Sequence, residues 1–376
     1  MGRAVLSEVA YRGVADTARA AGSATHRGEQ RHREGKGLDP LVDPSGFGVI
    51  RRSLSWYEPR GDKFELLRGV AMLEETRLDT TGSMGRNVEI AMKVLPTTYE
   101  LLATGANPVL GRYDTQMITS IFGDVCDHYV LNRSQAELDE RIAEQMTLMV
   151  PEGGGGDNPE DPQYGIFGGA FLTQTTISAY DLKHYDFTIS DAPGRHIIDP
   201  DTLIRVFGKD VFDRLVENGH QINKKNIPDL KETVQALLTR AHAFFLQVGG
   251  ESNANRFWTS VYGPDRVIVI PRTELLPQVK AAIIGLTEGV LDLQSVEDYL
   301  QTAGLESADA KSIARSVSKI PVGAQAELPN FDKIPLRGAL FENKGDLWPI
   351  AANAADEPGD GELADAVEPA KDGMWA

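Results

Sequence analysis

Strand-like and helix-like segments alternate along most of this chain, and that alternation restricts the fold more than any other feature. Residues 66–79 (LLRGVAMLEETRLD), 114–125 (DTQMITSIFGDV), 185–193 (YDFTISDAP), 242–250 (HAFFLQVGG) and 265–271 (DRVIVIP) read as strands. Residues 83–105, 134–150, 166–180, 201–219, 229–241, 253–263 and 274–293 read as helices between them. Strands that alternate with helices predict a parallel sheet covered on both faces, because a parallel connection needs a crossover. The near-continuous apolar run of residues 265–271 fits a strand buried on both sides. The fold class expected is therefore α/β: a doubly wound, mostly parallel, Rossmann-like sheet with a helical C-terminal extension.

Local signals set the expected helix limits. Val88, Met92, Leu95 and Leu101 share one face of residues 83–105, Gly105 ends that helix, and Pro96 kinks it. Ser134 and Glu137 form a capping-box pattern at the start of residues 134–150. The helix of residues 201–219 closes on Gly219. Residues 1–46 are expected to be a flexible basic arm, with Arg27, Arg31, Arg33 and Lys36 among few apolar residues. Residues 47–294 form the α/β domain, with strand character at residues 47–56. Residues 295–345 form the extension, and residues 346–376 an acidic Pro/Gly-rich tail expected to be disordered.

Charge and cysteine usage narrow the function classes. A formal net charge of −17 argues against a nucleic-acid surface and agrees with a chain that gathers cations. The lone Cys126 permits no intramolecular disulfide and is expected as a small buried hydrophobe in a reducing, cytoplasmic setting. No apolar run is long enough to span a membrane. The segment MGRAVLSEVAYRG has no apolar signal core, and Leu6 stands where a myristoylation signal needs Ser or Thr.

Three polar clusters fall where strands end in loops, the edge at which open parallel sheets bind ligands. They are Asp79, Thr81 and Ser83 in DTTGS, Asp157 and Asn158 in GGGGDNPE, and Asp191 in FTISDAPGRH. Alternate positions on an extended turn aim the Asp79, Thr81 and Ser83 oxygens one way, and Gly82 eases the bend. Carboxylate and hydroxyl oxygens suit a hard cation such as Mg²⁺. Taken alone, DTTGS is equally a helix-capping turn, since Thr and Ser cap well. Two more oxygen-bearing loops in the right order favour the metal. The glycines at 153–156 lack the Gly-Lys-Ser/Thr of a P-loop, and the seven histidines show no ligand spacing. His196 lies near Asp191 in sequence and is expected in a turn or in solvent.

These three motifs together resemble the von Willebrand factor A domain and its metal-ion-dependent adhesion site, and the LDTTGSM run is similar to many intracellular bacterial members. The family's Asp-x-Ser/Thr-x-Ser motif is matched by Asp79, Thr81 and Ser83, and its late Asp by Asp191. The usual Thr of the middle motif is replaced by Asn158, with Asp157 beside it as a substitute ligand. The resemblance covers roughly residues 66–292. It implies Mg²⁺ or Mn²⁺ as cofactor and no catalytic residues. It also implies a partner protein that presents a carboxylate, with a MoxR-type ATPase or a stress or defence complex as candidates, and neither nucleic acid nor membrane. Two alternatives stay open: an assembly subunit with a vestigial metal site, and a Mg²⁺-dependent hydrolase.

A second departure concerns Glu74, Glu75 and Arg77, charges in a strand that should be the most buried of all. Buried charge is unfavourable unless paired. Glu75, Arg77 and Asp79 share one strand face, so Arg77 is expected to pair with Glu75 or with a carboxylate of a neighbouring strand, beneath the metal loop.

Overall fold

The structure, a computed structural model, describes residues 25–45, 57–67, 70–137, 141–154 and 159–343. Among the described residues nine strands run β1 Tyr57–Arg60, β2 Lys63–Leu66, β3 Ala71–Asp79, β4 Asp114–Phe122, β5 Leu131–Arg133, β6 His184–Ser190, β7 Ala241–Gln247, β8 Val267–Val269 and β9 Leu340–Phe341. Six of them form the main sheet in the order β5-β4-β3-β6-β7-β8, parallel except for β5, which pairs antiparallel with β4. The chain winds outward from β3 in one direction through β4, and in the other through β6. The winding direction therefore reverses beside β3, and the crevice at the carboxyl ends of β3 and β6 is the topological switch point. This is the mixed α/β, Rossmann-like arrangement expected.

Each sheet face carries its own core. On one face Phe122, Phe245 and Trp258 pack with the helices Gln163–Phe167, Leu230–Arg240 and Ser252–Tyr262. On the other, Leu78, Phe187 and Leu246 pack against the almost wholly buried helix Leu276–Glu288. The extension joins this second core. Leu300 and Ile313, from the helices Val296–Thr302 and Ser307–Ser316, are fully buried in it.

Several helices are shorter than their periodicity suggests. The helix expected over residues 83–105 runs only Arg86–Val94 and breaks at a 3-10 turn containing Pro96, which cannot continue the hydrogen-bond ladder. Residues 201–219 split into Pro200–Phe207 and Val211–Glu217 at Gly208, whose φ of 91° suits glycine. The capping box at Ser134 does not form. The Ser134 hydroxyl accepts from the Thr119 amide, Glu137 bridges Met117, and the helix is Arg141–Met146. Edge pairing with β4 has captured the chain before the helix starts.

The hairpin β1-β2 and β9 form a separate three-stranded antiparallel sheet that the sequence reading missed. The strand expected at residues 47–56 lies outside the described residues, as does the tail. Within the expected arm, His26–Arg33 is a helix held against the body. A Cβ on Gly28 would lie 2.1 Å from the Met149 carbonyl oxygen, and the fully buried Val42 accepts from the Arg133 amide.

The charges of β3 are all buried. Arg77 grips Asp186 of β6 through two bonds of 2.6 and 2.7 Å and reaches Glu75 at 2.9 Å. Arg133 closes the group on Glu75 at 2.9 Å, and the Thr173 hydroxyl donates to the other Glu75 oxygen. Two acids and two bases thus neutralise one another. Burial works to raise the Glu75 carboxyl, but Arg133 and Arg77 overcome it and hold it at about 2. Glycine makes room for the group: a Cβ at Gly169 would stand 2.0 Å from an Arg77 nitrogen. On the opposite face Glu74 pairs with Lys280 at 2.9 Å.

A further polar network fastens the extension to the sheet. Glu288 accepts from the Tyr185 and Tyr113 hydroxyls, Tyr185 stacks on His242, and His242 bonds Gln325 of the extension. Burial holds His242 neutral, down at about 3 from an ordinary 6.5, and pushes Glu288 up to about 7 from 4.5. The two act oppositely on stability. Between pH 7 and 5 the unfolded chain takes up the His242 proton and the folded chain takes up the Glu288 proton. Acidification over that window therefore weakens the fold through His242 and strengthens it through Glu288, by about 2 kcal/mol each. His242→Gln is expected to lose less stability than wild type from pH 7 to 5, and Glu288→Gln to lose more. Urea midpoints at both pH values check the two signs.

Candidate metal centre

Asp79 ends β3 and is fully buried at the switch point. Its Oδ1 accepts from the Thr81 amide at 2.8 Å and the Thr81 hydroxyl at 2.7 Å, and its Oδ2 from the Ser190 hydroxyl at 2.5 Å. Thr81 Oγ1 lies 3.3 Å from Ser83 Oγ, and Ser83 Oγ donates to Asp191 Oδ1 at 2.7 Å. The first and third motifs are thereby joined across 108 residues of sequence into one run of oxygens. Asp79 and Thr81 form its buried floor, and Ser83 and Asp191 its more open rim.

Helix capping does not explain these hydroxyls. Among the described residues neither the Gly82–Met84 turn nor the Arg86–Val94 helix receives a side-chain cap. Thr81 and Ser83 instead point to carboxylates. The Gly82 amide bonds the Gly154 carbonyl at 2.7 Å, which brings the glycine-rich loop over the turn. Asp157 and Asn158, the middle motif, lie outside the described residues.

Three contributors escaped the sequence reading. Ser190 precedes Asp191 and orients Asp79, a role visible only once β3 and β6 are known to be neighbours. Asp124, after β4, and Glu160, after the glycine-rich loop, are both buried beside the floor. Glu160 Oε2 is buried with no hydrogen-bond partner among the described residues. Burial, with Asp124 and Asp79 close by, pushes the Glu160 carboxyl up to about 9. Burial likewise raises Asp79 to about 6, against the bonds from Ser190 and Thr81, and Asp191 adds to the rise.

One other expectation is corrected, and His196, exposed at a bend, lies as expected. Cys126 is exposed on the loop after β4, not buried, because the chain turns outward there. Its desolvation and the nearby Asp127 and Asp124 raise the thiol, which disfavours the nucleophilic thiolate. His196 packs on the Phe257 ring, with centroids 5.0 Å apart, and does not join the site. Arg77 is paired as expected, with Asp186 of the neighbouring strand and with Glu75. Thr81 and Ser190 set the orientation of Asp79.

The donor set fits a hard cation. An octahedral ion with oxygens at about 2.1 Å places neighbouring ligands about 3 Å apart, and the run of 2.7, 3.3 and 2.7 Å brackets that spacing. Asp79 and Asp191 accept only from hydroxyls and amides; among the described residues no basic side chain pairs with either. Glu160, held protonated beside them, leaves a buried oxygen without a hydrogen-bond partner among the described residues. Among the described residues no group of three His, Cys, Asp or Glu side chains could hold a metal. The converging set is two carboxylates and two hydroxyls, a chemistry for Mg²⁺ or Mn²⁺ rather than for zinc. No helix among the described residues is long and apolar enough to cross a membrane. No protein-family model matches the chain, and a search of curated proteins finds no match.

Proposed function

We propose that this chain is a metal-ion-dependent protein-binding module of the von Willebrand factor A type, acting as an adaptor or scaffold. Asp79, Thr81, Ser83 and Asp191 would hold Mg²⁺ or Mn²⁺, directly or through water, with Asp157 or Asn158 contributing from the facing loop. The bound ion supplies a Lewis-acidic position to which a carboxylate of the partner adds. The single observation carrying this reading is the oxygen run at the switch point, whose hydroxyls serve two carboxylates and cap no helix among the described residues. A MoxR-type ATPase or a stress or defence complex is the class of partner the resemblance suggests.

Calorimetry and thermal melts with Mg²⁺ and Mn²⁺ test the proposal. At a cation concentration of 100 Kd the folded state gains about 2.7 kcal/mol by mass action, and Asp79→Ala is expected to abolish both the heat and the gain. A wild-type protein that melts identically in Mg²⁺ and in EDTA would sink the reading. The same hydrogen bonds favour one second reading, a polar turn that stabilises the sheet edge without any ion. On that reading Asp79→Ala destabilises the protein equally with and without cations.

A further inference from the structure

One strand away from the candidate metal centre the same sheet edge opens into a cleft of about 780 Å³. Its floor is the chain leaving β7 and β8, and its far wall is the Ser307–Ser316 helix of the extension. The Val248 amide bonds the Ser190 carbonyl at 3.0 Å, so the cleft continues directly from the loop that carries Asp191. Asn87, in the first turn of the Arg86–Val94 helix, stands at its other side.

The lining is rich in donors. Arg315 is exposed on the wall, and its guanidinium has neither an ion pair nor a hydrogen bond among the described residues. Arg272 adds a second guanidinium, whose charge Asp309 neutralises. Asn87 accepts from the Thr273 hydroxyl through Oδ1, so the group it still offers is its amide N–H₂. Ser312 places a hydroxyl on the same wall as Arg315, whereas the Ser316 hydroxyl donates to the Ile313 carbonyl. Glu274 is the single acid of the lining. Arg315 is thus the one cation of the lining without an acid partner among the described residues, on a chain of net charge −17. The opposite side of the metal centre is acidic, with Asp124, Asp127 and Glu152 around the loop after β4. Acids therefore gather on the β4 side of the site, and the unpaired guanidinium of Arg315 lies on the β8 side.

We propose that this cleft binds the acidic continuation of the partner segment whose first carboxylate reaches the metal. A segment with a second carboxylate is repelled from the β4 side and drawn toward Arg315, which fixes the direction in which it lies. Arg315 is the specificity-determining residue, because a free guanidinium fork matches a carboxylate in geometry as well as charge. The C-terminal extension thereby gains a role, since its Ser307–Ser316 helix completes a binding surface that the α/β domain alone leaves open. The inference rests on the proposed metal site only for the first carboxylate. The cleft is a separate set of residues.

Fluorescence anisotropy with labelled hexaglutamate, and hexaglutamine as the neutral control, tests this on the full chain. Wild type in Mg²⁺ is expected to bind hexaglutamate and not hexaglutamine. Arg315→Glu should weaken binding by about tenfold or more, Arg315→Lys by less, and the exposed, distant Lys231→Glu by under about twofold. All four proteins should keep the same Mg²⁺-dependent melting shift. Equal binding by wild type and Arg315→Glu, or no binding by wild type, overturns the inference. If the melting shift is present in either case, the metal reading stands alone. Arg315-dependent binding that is unchanged in EDTA, with no melting shift, keeps the cleft and removes the metal. Displacement of the peptide by inorganic phosphate at equal concentration makes the cleft a phosphate site and overturns the acidic-segment assignment.

Discussion

Asp186→Ala is expected to destabilise the protein by about 3–5 kcal/mol, because it leaves a buried guanidinium without its principal partner. Arg77 is wholly buried between β3, β6 and the turn at Gly169, and Asp186 takes both of its terminal nitrogens. Glu75 cannot make up the loss alone, since it already serves Arg133 and Thr173. The charge count argues the same way. The native group balances two acids against two bases, and the variant has one acid for two. Removing Arg77 and Asp186 together, as Arg77→Met with Asp186→Leu, leaves the neutral Glu75–Arg133 pair. That double variant is expected to recover most of the loss, since replacing a buried ion pair by apolar groups is often close to neutral. Urea unfolding midpoints of the three proteins give the comparison. A loss below about 1 kcal/mol in Asp186→Ala would mean that the guanidinium reaches water, and the account of a sealed ionic core would fail.

The need for such a partner was legible in the sequence, but its identity was not. Alternation along β3 puts Glu75, Arg77 and Asp79 on one face, and burial demands a countercharge. Which carboxylate answers depends on β6 being the neighbour of β3, a fact of strand order that no local pattern carries. The same division holds throughout. The core strands β3, β4, β6 and β7 were readable because each runs seven to nine residues and carries several apolar side chains. The helix Leu230–Arg240 was readable from its period, and its start is sealed by a full capping box at Asp229 and Glu232. The three residues of β5, Leu-Asn-Arg, carry no such signal and form a strand only because β4 offers an open edge. The β1-β2 hairpin turns on Gly61-Asp62, a local signal of its own, but β9 joins it from the opposite end of the chain and has none.

For the candidate site, Asp79, Thr81 and Ser83 were legible as a short spacing, and Asp191 as an acid ending a strand. The structure joins these four through hydrogen bonds. Ser190, Asp124 and Glu160 were not legible, because a serine, an aspartate and a glutamate in loops look alike until the sheet brings them to one edge. The cleft beside β8 was hidden for the same reason. Arg272 and Arg315 belong to different elements, and only the packing of the extension sets them side by side.

Trp258→Ala is expected to weaken both the fold and cation binding, and its two effects come from one side chain. The indole is fully buried, stacked on Phe245 with centroids 4.3 Å apart and edge-on to Phe257 at 4.9 Å. Its Nε1 donates to the Ala192 carbonyl at 2.8 Å, the residue after Asp191. The ring also lies under Gly194, where a Cβ would approach within 3.0 Å. The loop that presents Asp191 therefore rests on this ring, with backbone bonds joining Glu160 to Pro193 and Arg195 as its other tie. Truncation removes the largest buried aromatic and opens a cavity, a loss of about 3–5 kcal/mol. The loop loses its floor, so Asp191 is no longer held against Ser83. Trp258→Phe separates the two roles: it keeps most of the packing but leaves the Ala192 carbonyl without this donor, a loss of about 1–3 kcal/mol. Urea midpoints in EDTA measure the stability term, and Mn²⁺ titration of the folded variants measures the site. Both variants are expected to bind Mn²⁺ more weakly than wild type, and the alanine variant the more so. Unchanged affinity in a destabilised but folded Trp258→Ala would show that the Asp191 loop holds its position without the indole, and the coupling of core to site would be lost.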